Sequence, residues 1–296
     1  MAVLSSALNH DVHRALAPHR IGADPTTLLS GSEFWRATLT PDGPGTLHLS
    51  WSGGELRAEA WGAGASWLLE RSADLAGCAD DVVRFGPEAH PEVLKAQRNF
   101  PRLRLSRGHC VYHSVLPVII GQRVTAIEAH RSWRRLCLSI GRPAPGPLDL
   151  RLPPSPDDLA QQPYWWFHPH GIDRQRAEAL LSAARHATRI NELDDASPSQ
   201  ARATLGAISG IGAWTIGATL GHALGDTDAV AVGDYHLKNT VSFALAGEPR
   251  GTDERMLELL TPYNGQRARV IALLAAAGFS APKFGPRQRI LPMERW

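Results

Sequence analysis

The spacing of apolar residues changes its period at about residue 90, and this change constrains the fold more than any other feature. Before it, residues 46–51 alternate between apolar and polar side chains, which is typical of a strand with one buried face. After it, the apolar residues of 129–140 recur at spacings of four, three and four, which is typical of a helix. We therefore predict an α+β chain, with an amino-terminal antiparallel β-sheet domain at residues 1–89 and an all-α domain at residues 90–296.

The first region predicts a meander of three strands. These strands are Glu33–Thr40, 46–51 and 55–61. Their joins, Asp42-Gly43-Pro44-Gly45 and Ser52-Gly53-Gly54, have the composition of hairpin turns. No residue of this region suggests a catalytic role, so we look for function in the second region.

The second region contains several helix signals. The clearest is Ser197-Pro198-Ser199-Gln200, which combines a capping hydroxyl, a proline at the first helical position and a glutamine that closes a capping box. Helical spacing also relates Ile120, Val124 and Ile127, and predicts one helix through all three. Further helices are predicted at about residues 177–187, 213–224, 235–246, 253–260 and 266–277, the last of them ended by Gly278. The Pro-rich stretch 142–156 is predicted to cross between two groups of helices.

The charge is distributed unevenly along the chain. Residues 1–90 contain 6 Lys+Arg and 11 Asp+Glu, whereas residues 91–296 contain 25 and 18. The net charges of −5 and +7 indicate that the second region meets a polyanion. A compositional preference for arginine explains the same numbers equally well, since only three of the 31 basic residues are lysine.

Cysteine, histidine and hydropathy exclude several classes of protein. Cys78, Cys110 and Cys137 are too widely spaced for a CxxC pair, and three cysteines do not make a disulfide scaffold. His168 and His170 form a pair that lacks a third ligand, so we predict no metal site. No apolar run approaches the ~18 residues of a membrane span, and the first 30 residues lack a secretory pattern. We expect a cytoplasmic protein with no membrane partner.

A Gly-x-Gly turn lies between two predicted helices, at Gly210, Ile211 and Gly212. Such a turn exposes successive backbone N–H groups at the start of the second helix, where they and the helix dipole suit a phosphate oxygen. Contacts of this kind hold DNA without reading its sequence. The alternative is an ordinary turn between helices that needs glycine for a positive φ.

An aspartate follows this turn at a fixed distance. Asp234 lies twenty residues after Trp214, where a loop enters the next predicted helix. One interpretation is a helix N-cap, which is a common structural role of aspartate. The other is an ionised carboxylate beside a cleft, able to stabilise a cationic sugar or to activate water.

Three segments together resemble the helix-hairpin-helix DNA glycosylase superfamily, and within it the 3-methyladenine DNA glycosylase II group. Residues 208–215 (ISGIGAWT) are similar to its hairpin, and residues 232–238 (VGDYHLK) to its catalytic segment. Residues 116–125 (LPVIIGQRVT) are similar to the helix start whose side chain fills the gap left by an extruded base. The likeness extends from about residue 90 to 281. The first 90 residues match the added sheet domain of that group only in character.

The resemblance implies a role for each matched residue. Asp234 would be the catalytic carboxylate. DNA contacts would come from the hairpin and from the side chain that enters the duplex, namely Gly210, Ile211, Gly212 and either Gln122 or Arg123. The alternative for Arg123 is a solvated helix residue that touches phosphate. Hairpin carbonyls would hold a monovalent cation, as in relatives, and no other cofactor is implied. The family's iron–sulfur version is excluded, because it needs four closely spaced cysteines.

Trp214 and Tyr235 match aromatic positions of the base pocket. Relatives that also cut the DNA backbone have a lysine at the position of Trp214, because a Schiff base needs an amine. The tryptophan therefore predicts base excision without strand cleavage. Ala218 and Ala272 stand where the family has two further aromatic residues. The aromatic cluster 164–168 (YWWFH) is a candidate replacement, or else part of the core.

The resemblance thus predicts a monofunctional DNA glycosylase of base excision repair, acting as a monomer in the cytoplasm near the nucleoid. It would extrude a damaged, alkylated base from double-stranded DNA, hydrolyse the N-glycosidic bond and leave an abasic site. Two alternatives stay open. One is a non-catalytic DNA-binding protein with the same hairpin, and the other is a glycosylase for oxidised or deaminated bases.

Overall fold

The computed structural model describes residues 2–4 and 8–282, and its only sheet in that part is antiparallel and five-stranded. The strand order is β1-β5-β4-β3-β2. The strands are β1 (Ala2–Leu4), β2 (Thr27–Ser30), β3 (Glu33–Thr40), β4 (Gly43–Ser52) and β5 (Glu55–Gly62). All five therefore lie ahead of residue 90, and the α+β class is confirmed.

The three predicted strands are present, and the second predicted turn joins β4 to β5. The first turn is tighter than predicted: it occupies residues 41–42, and Gly43, Pro44 and Gly45 already pair with β3. Gly53 and Gly54 of the second turn have φ of 58° and 84°, which side chains rarely adopt. In the register, Leu49 pairs with Phe34 on one side and with Ala58 on the other, and all three are fully buried. The two edge strands were not predicted, because three or four residues are too few to establish an alternation.

Fourteen α-helices are assigned in the described residues, with three short 3-10 helices. The α-helices are α1 (Val12–Leu16), α2 (Ala65–Glu70), α3 (Ser72–Leu75), α4 (Pro91–Asn99), α5 (Val111–Ile120), α6 (Ala126–Ile140), α7 (Pro156–Ala160), α8 (Arg174–Arg185), α9 (Ala187–Asn191), α10 (Pro198–Gly206), α11 (Ala213–Ala223), α12 (Leu237–Ala246), α13 (Asp253–Leu260) and α14 (Arg267–Ala276). The 3-10 helices are Ala17–His19, Tyr164–His170 and Thr261–Tyr263. None of the helices in residues 8–282 is long and apolar enough to cross a membrane.

The predicted helix through Ile120, Val124 and Ile127 is wrong. Helix α5 ends at Ile120, a turn occupies residues 121–125, and α6 starts afresh. The reason is a capping box, in which the Thr125 hydroxyl and the Glu128 carboxylate satisfy each other's backbone amides. The apolar spacing across the turn is accidental, since Ile127 is 60% exposed.

The helices pack around α5, whose residues from Val111 to Ile120 are mostly buried. A second cluster joins α12, α13 and α14 through residues such as Val241, Met256 and Val270. The Pro-rich stretch connects α6 to α7, as predicted, and it also covers one face of the sheet. There Leu150 and Leu152 pack against Trp35 and Ala37.

Buried polar groups connect the sheet to the helices. We call His19, Arg36, Ser106, His113 and Asp194 the junction. Arg36 Nη1 donates to His19 Nδ1 (2.9 Å), so the other ring nitrogen of His19 donates to Ser106 Oγ (2.7 Å). Burial lowers the pKa of both His19 and His113, which keeps these imidazoles neutral. The domain boundary at 89/90 stays a prediction, because the junction takes side chains from both sides of it.

Candidate active site

A sharp turn positions Asp234 in the loop between α11 and α12. Gly233 has φ +94°, a conformation that favours glycine. Its amide donates to Oδ1 of Asp253 (2.9 Å), and Oδ2 of Asp253 accepts from Lys238 Nζ (3.2 Å). Sequence reasoning missed Asp253, because only the fold brings the first residue of α13 beside this turn.

Both oxygens of Asp234 accept hydrogen bonds. Oδ1 accepts the backbone amides of His236 (2.8 Å) and Leu237 (2.9 Å), at the start of α12. Oδ2 accepts the indole N–H of Trp214 (3.0 Å), which reaches over from α11. Oδ1 therefore caps a helix, as the first interpretation expects, while Oδ2 of the half-buried side chain contacts the helix after the hairpin. The catalytic interpretation stays a prediction.

The predicted hairpin lies between α10 and α11. Gly210 has φ +86°, and a Cβ built there would lie 2.6 Å from Cβ of Ala179 on α8. Gly212 is exposed, and a Cβ there would meet nothing within 4 Å. The Ile211 amide donates within the turn to Ile208 O (3.1 Å). This arrangement leaves exposed glycine backbone at the start of α11, as an anion contact requires.

Gln122 and Arg123 point in different directions from the turn at residues 121–125. The Gln122 side-chain amide donates to the carbonyl of Gly210 (2.9 Å) and to Oγ1 of Thr215 (2.9 Å), so it ties this turn to the hairpin. Arg123 is exposed and has φ +58°, uncommon for a residue with a side chain. Of the two candidates for entering the duplex, only Arg123 is directed away from the protein.

A buried arginine holds the same turn from the other side. Arg176 is 2% exposed; its guanidinium donates to Ile120 O (2.9 Å), Gly171 O (3.0 Å) and Asp173 Oδ2 (3.0 Å). Ile120 immediately precedes the turn, and Gly171 ends the 3-10 helix Tyr164–His170. Sequence analysis did not identify Arg176, because nothing in its spacing indicates a buried side chain that binds two backbone carbonyls.

The aromatic residues divide into core and surface. Tyr235 is 75% exposed and packs edge-on against His236, with ring centroids 5.0 Å apart. In the cluster 164–168, Phe167 is fully buried, which supports the core interpretation, whereas Trp165 is 60% exposed. A cavity of about 510 Å³ lies elsewhere, beside Trp51 and Phe100, and none of the predicted site residues lines it.

Two kinds of cofactor site were considered from the sequence, a metal site and a monovalent cation at the hairpin. Residues 8–282 contain no group of three or more His, Cys, Asp or Glu side chains able to hold a metal. The monovalent cation at the hairpin carbonyls stays a prediction. One of these carbonyls, that of Gly210, already accepts the Gln122 amide. The groups brought together at the hairpin are therefore a carboxylate, an indole and backbone amides.

Comparison with known proteins places this arrangement in a known fold. No protein-family model and no curated protein matches the chain. Among solved structures, a 3-methyladenine DNA glycosylase from Archaeoglobus fulgidus is similar, with a TM-score of 0.75, 16% identity, and coverage of 93% of this chain and 97% of that one. An 8-oxoguanine glycosylase/lyase from Clostridium acetobutylicum, in complex with double-stranded DNA, gives a TM-score of 0.66 and 10% identity, over 91% and 92% of the two chains.

The yeast Schizosaccharomyces pombe supplies a third similar structure, the 3-methyladenine DNA glycosylase Mag1 in complex with abasic DNA. Its TM-score is 0.53 at 18% identity, and it covers 65% of this chain and 92% of its own. Two of these three structures span almost the whole chain, including the sheet. The chain therefore has the fold of the helix-hairpin-helix DNA glycosylases.

Proposed function

We propose that the chain is a DNA glycosylase that excises a damaged base from duplex DNA, with Asp234 as the catalytic carboxylate. The observation that carries the proposal is the 3.0 Å hydrogen bond between Trp214 and Asp234. It couples the carboxylate to the first turn of the helix that follows the Gly-x-Gly hairpin. A phosphate bound by the hairpin would thus lie at the start of α11, the helix whose Trp214 contacts the catalytic group.

The reaction is hydrolysis of the N-glycosidic bond. As the bond breaks, its electron pair leaves with the base, and positive charge develops on C1′ and the ring oxygen of the sugar. A fixed carboxylate lowers the energy of that cation, because the hydrogen-bonded site needs no reorganisation when the charge appears. Water then adds to C1′ and loses a proton, for which Asp234 is the nearby acceptor.

We infer that the enzyme does not cleave the DNA strand. Strand cleavage by glycosylase/lyases proceeds through a Schiff base, which requires a free amine. The hairpin position carries Trp214 instead. Lys238, one helical turn after Asp234, donates to Asp253 at 3.2 Å. Water is therefore the expected acceptor, and the product is an intact strand with an abasic site.

An alkylated purine is the preferred substrate in this proposal. Alkylation at a ring nitrogen gives the base a positive charge, which weakens the glycosidic bond and favours stacking on aromatic faces. Trp214 and Tyr235 offer such faces next to Asp234. The likeness to an 8-oxoguanine glycosylase/lyase favours an oxidised base as the second candidate.

The test is base release from duplex oligonucleotides that each carry one lesion: 7-methylguanine, 8-oxoguanine or uracil. We expect the wild-type chain to release 7-methylguanine, and Asp234→Asn to be slower by roughly 10²–10⁴-fold, since it loses the charge and keeps the shape. Asp42→Asn, the same change in an exposed turn of the sheet, is the matched control and should keep full activity.

Each other result has a distinct meaning. Release of 8-oxoguanine or uracil alone would move the assignment to the second candidate. Salt-dependent binding without release of any base would indicate a DNA-binding protein. Equal rates for the wild type and Asp234→Asn would refute the catalytic role of this carboxylate. Cleavage of the strand without alkali would contradict the absence of lyase activity.

A further inference from the structure

We propose that Trp214 joins base recognition to catalysis: its ring face stacks on the extruded base, while its N–H holds Oδ2 of Asp234 in the position that faces the sugar. This inference rests on the proposed function and deepens it. It assigns two tasks to one rigid side chain, and it names the oxygen of Asp234 that works.

The hydrogen-bond inventory of Asp234 identifies the working oxygen. Oδ1 accepts two backbone amides, at 2.8 and 2.9 Å, and a carboxylate oxygen has about two acceptor sites. Oδ2 accepts only the indole N–H, at 3.0 Å, so one of its acceptor sites is left. Oδ1 is therefore committed to the start of α12, and Oδ2 is the oxygen that can face a developing cation or a water molecule.

The indole geometry then fixes Oδ2 relative to any stacked base. An indole N–H lies in the plane of its ring, so Oδ2 lies close to that plane, beyond the edge that carries Nε1. A base stacked on the ring face lies roughly 3.5–4.0 Å from the same plane, the usual contact distance between carbon atoms. A base that stacks on this face with its sugar edge towards Nε1 would therefore have its glycosidic bond near Oδ2.

The contacts of the ring show that it spans the site. Its opposite edge approaches the turn at residues 121–125, since a Cβ built at Gly121 would lie 3.5 Å from Cη2 of Trp214. The Cβ of Trp214 is 3.8 Å from the corresponding position at Gly233, beside Asp234. Trp214 thus extends from the catalytic loop to the turn that carries Arg123, and its half-buried state leaves part of its surface open.

A substitution that removes the indole N–H but keeps an aromatic face separates the positioning of Asp234 from the stacking on the base. Trp214→Phe keeps an aromatic face and loses the N–H. We expect its affinity for a 7-methylguanine duplex to stay within about 3-fold of wild type, and its single-turnover rate of base release to fall about 10- to 100-fold. Trp214→Ala should lose both affinity and rate.

Packing effects are controlled by an isosteric ring. Benzothienylalanine at position 214 replaces the N–H by sulfur and preserves the shape, so it should reproduce the slow rate of Trp214→Phe with wild-type thermal stability. Trp51→Phe, the same change in the sheet, should leave the rate unchanged. If the isostere retains the full rate, the N–H does not hold Asp234 in a working position, and the proposal is wrong.

A double mutant tests whether Trp214 acts through Asp234. In the Asp234→Asn background, Trp214→Phe should cost less than about 3-fold, because the charge that the indole orients is already gone. An undiminished 10- to 100-fold loss there would overturn the inference while leaving the proposed function intact. A wild-type chain that releases no base from any lesion would instead overturn the proposed function, and this inference with it.

Discussion

Two aspartates, Asp194 and Asp234, each accept hydrogen bonds from backbone amides at the start of a helix, but the surroundings of the two side chains differ. Asp194 accepts the amide of Val111 (2.7 Å) at the start of α5, inside the junction, where it is 4% exposed. Asp234 accepts two amides at the start of α12, and its half-buried side chain also accepts the Trp214 indole. The first locks a helix against the protein interior, whereas the second lies beside the hairpin.

This difference shows that capping a helix does not by itself make a carboxylate available for chemistry. Its burial and the contacts of its second oxygen decide that. Burial raises the pKa of Asp194 to about 6, and the nearby Asp195 carboxylate adds to the effect. The folded state therefore favours the neutral form of this carboxyl group more than the unfolded state does. Asp234 keeps an oxygen available. The same change to asparagine should therefore affect mainly stability at Asp194 and mainly activity at Asp234.

The largest effect expected from this comparison is a pH dependence of stability. The pKa of Asp194 rises from a usual 3.8 to about 6 on folding, so between pH ~4 and ~6 the folded chain binds more protons than the unfolded one. Its contribution to the free energy of unfolding therefore falls as the pH rises through this window, by about 2 kcal/mol. Urea unfolding at intervals from pH 4 to 7 measures this change.

Asp194→Asn isolates the contribution, because it keeps an oxygen for Val111 and cannot titrate. The difference in unfolding free energy between variant and wild type should change by about 2 kcal/mol in favour of the variant from pH 4 to pH 7. Asp42→Asn, in an exposed turn, should show no such movement. A pH-independent difference for Asp194→Asn would contradict the raised pKa of Asp194 and would break the comparison.

Much of the fold follows from local sequence signals. The alternation in 33–61 and the glycine-rich turns predict three strands, and the capping box at Ser197 and Gln200 starts α10 where expected. These signals succeed because the interactions that they describe lie within a few residues. They fail at the turn 121–125, where apolar spacing bridges two separate helices and only the Thr125 capping box marks the break.

The residues of the candidate site could be named from the sequence, whereas their contacts could not. Hairpin and aspartate are recognisable at a distance of twenty residues, so Asp234 and Trp214 could be named together. The partners that fix them come from remote positions, such as Asp253 on Gly233 and Arg176 on Ile120. Such pairs depend on how helices pack, and no periodicity in a single sequence encodes that.

Alanine substitutions at the two hairpin glycines separate effects on folding stability from effects on DNA affinity. Gly210→Ala forces a side chain to φ +86° and to within 2.6 Å of Ala179, which should lower the free energy of unfolding by about 2 kcal/mol. Gly212→Ala meets open space, so its stability should stay within about 0.5 kcal/mol of wild type. Duplex affinity should fall about 10-fold in both, because in Gly212→Ala the added methyl would occupy the space in which the proposed phosphate contact lies.

Thermal unfolding and fluorescence anisotropy with a lesion duplex measure the two quantities separately. The informative variant is Gly212→Ala, since its folded structure is undisturbed. Wild-type affinity in that variant would mean that DNA does not approach the hairpin backbone at Gly212, and the open site would lose its proposed phosphate contact. Gly247→Ala is the control for Gly210→Ala. Gly247 also has a positive φ, but a Cβ there meets nothing within 4 Å, so this variant reports backbone strain alone.

The smallest effects distinguish Gln122 from Arg123. Gln122→Ala removes two hydrogen bonds that tie the turn to the hairpin, so the free energy of unfolding should fall by about 1 kcal/mol. Arg123→Ala removes an exposed side chain, so stability should not change, whereas duplex affinity should fall about 5-fold with a shallower salt dependence. The fluorescence of 2-aminopurine next to the lesion reports extrusion: it should weaken in Arg123→Ala and persist in Gln122→Ala. The reverse pattern would assign the duplex-entering role to Gln122, and the inward contacts of its amide would then have to break on binding.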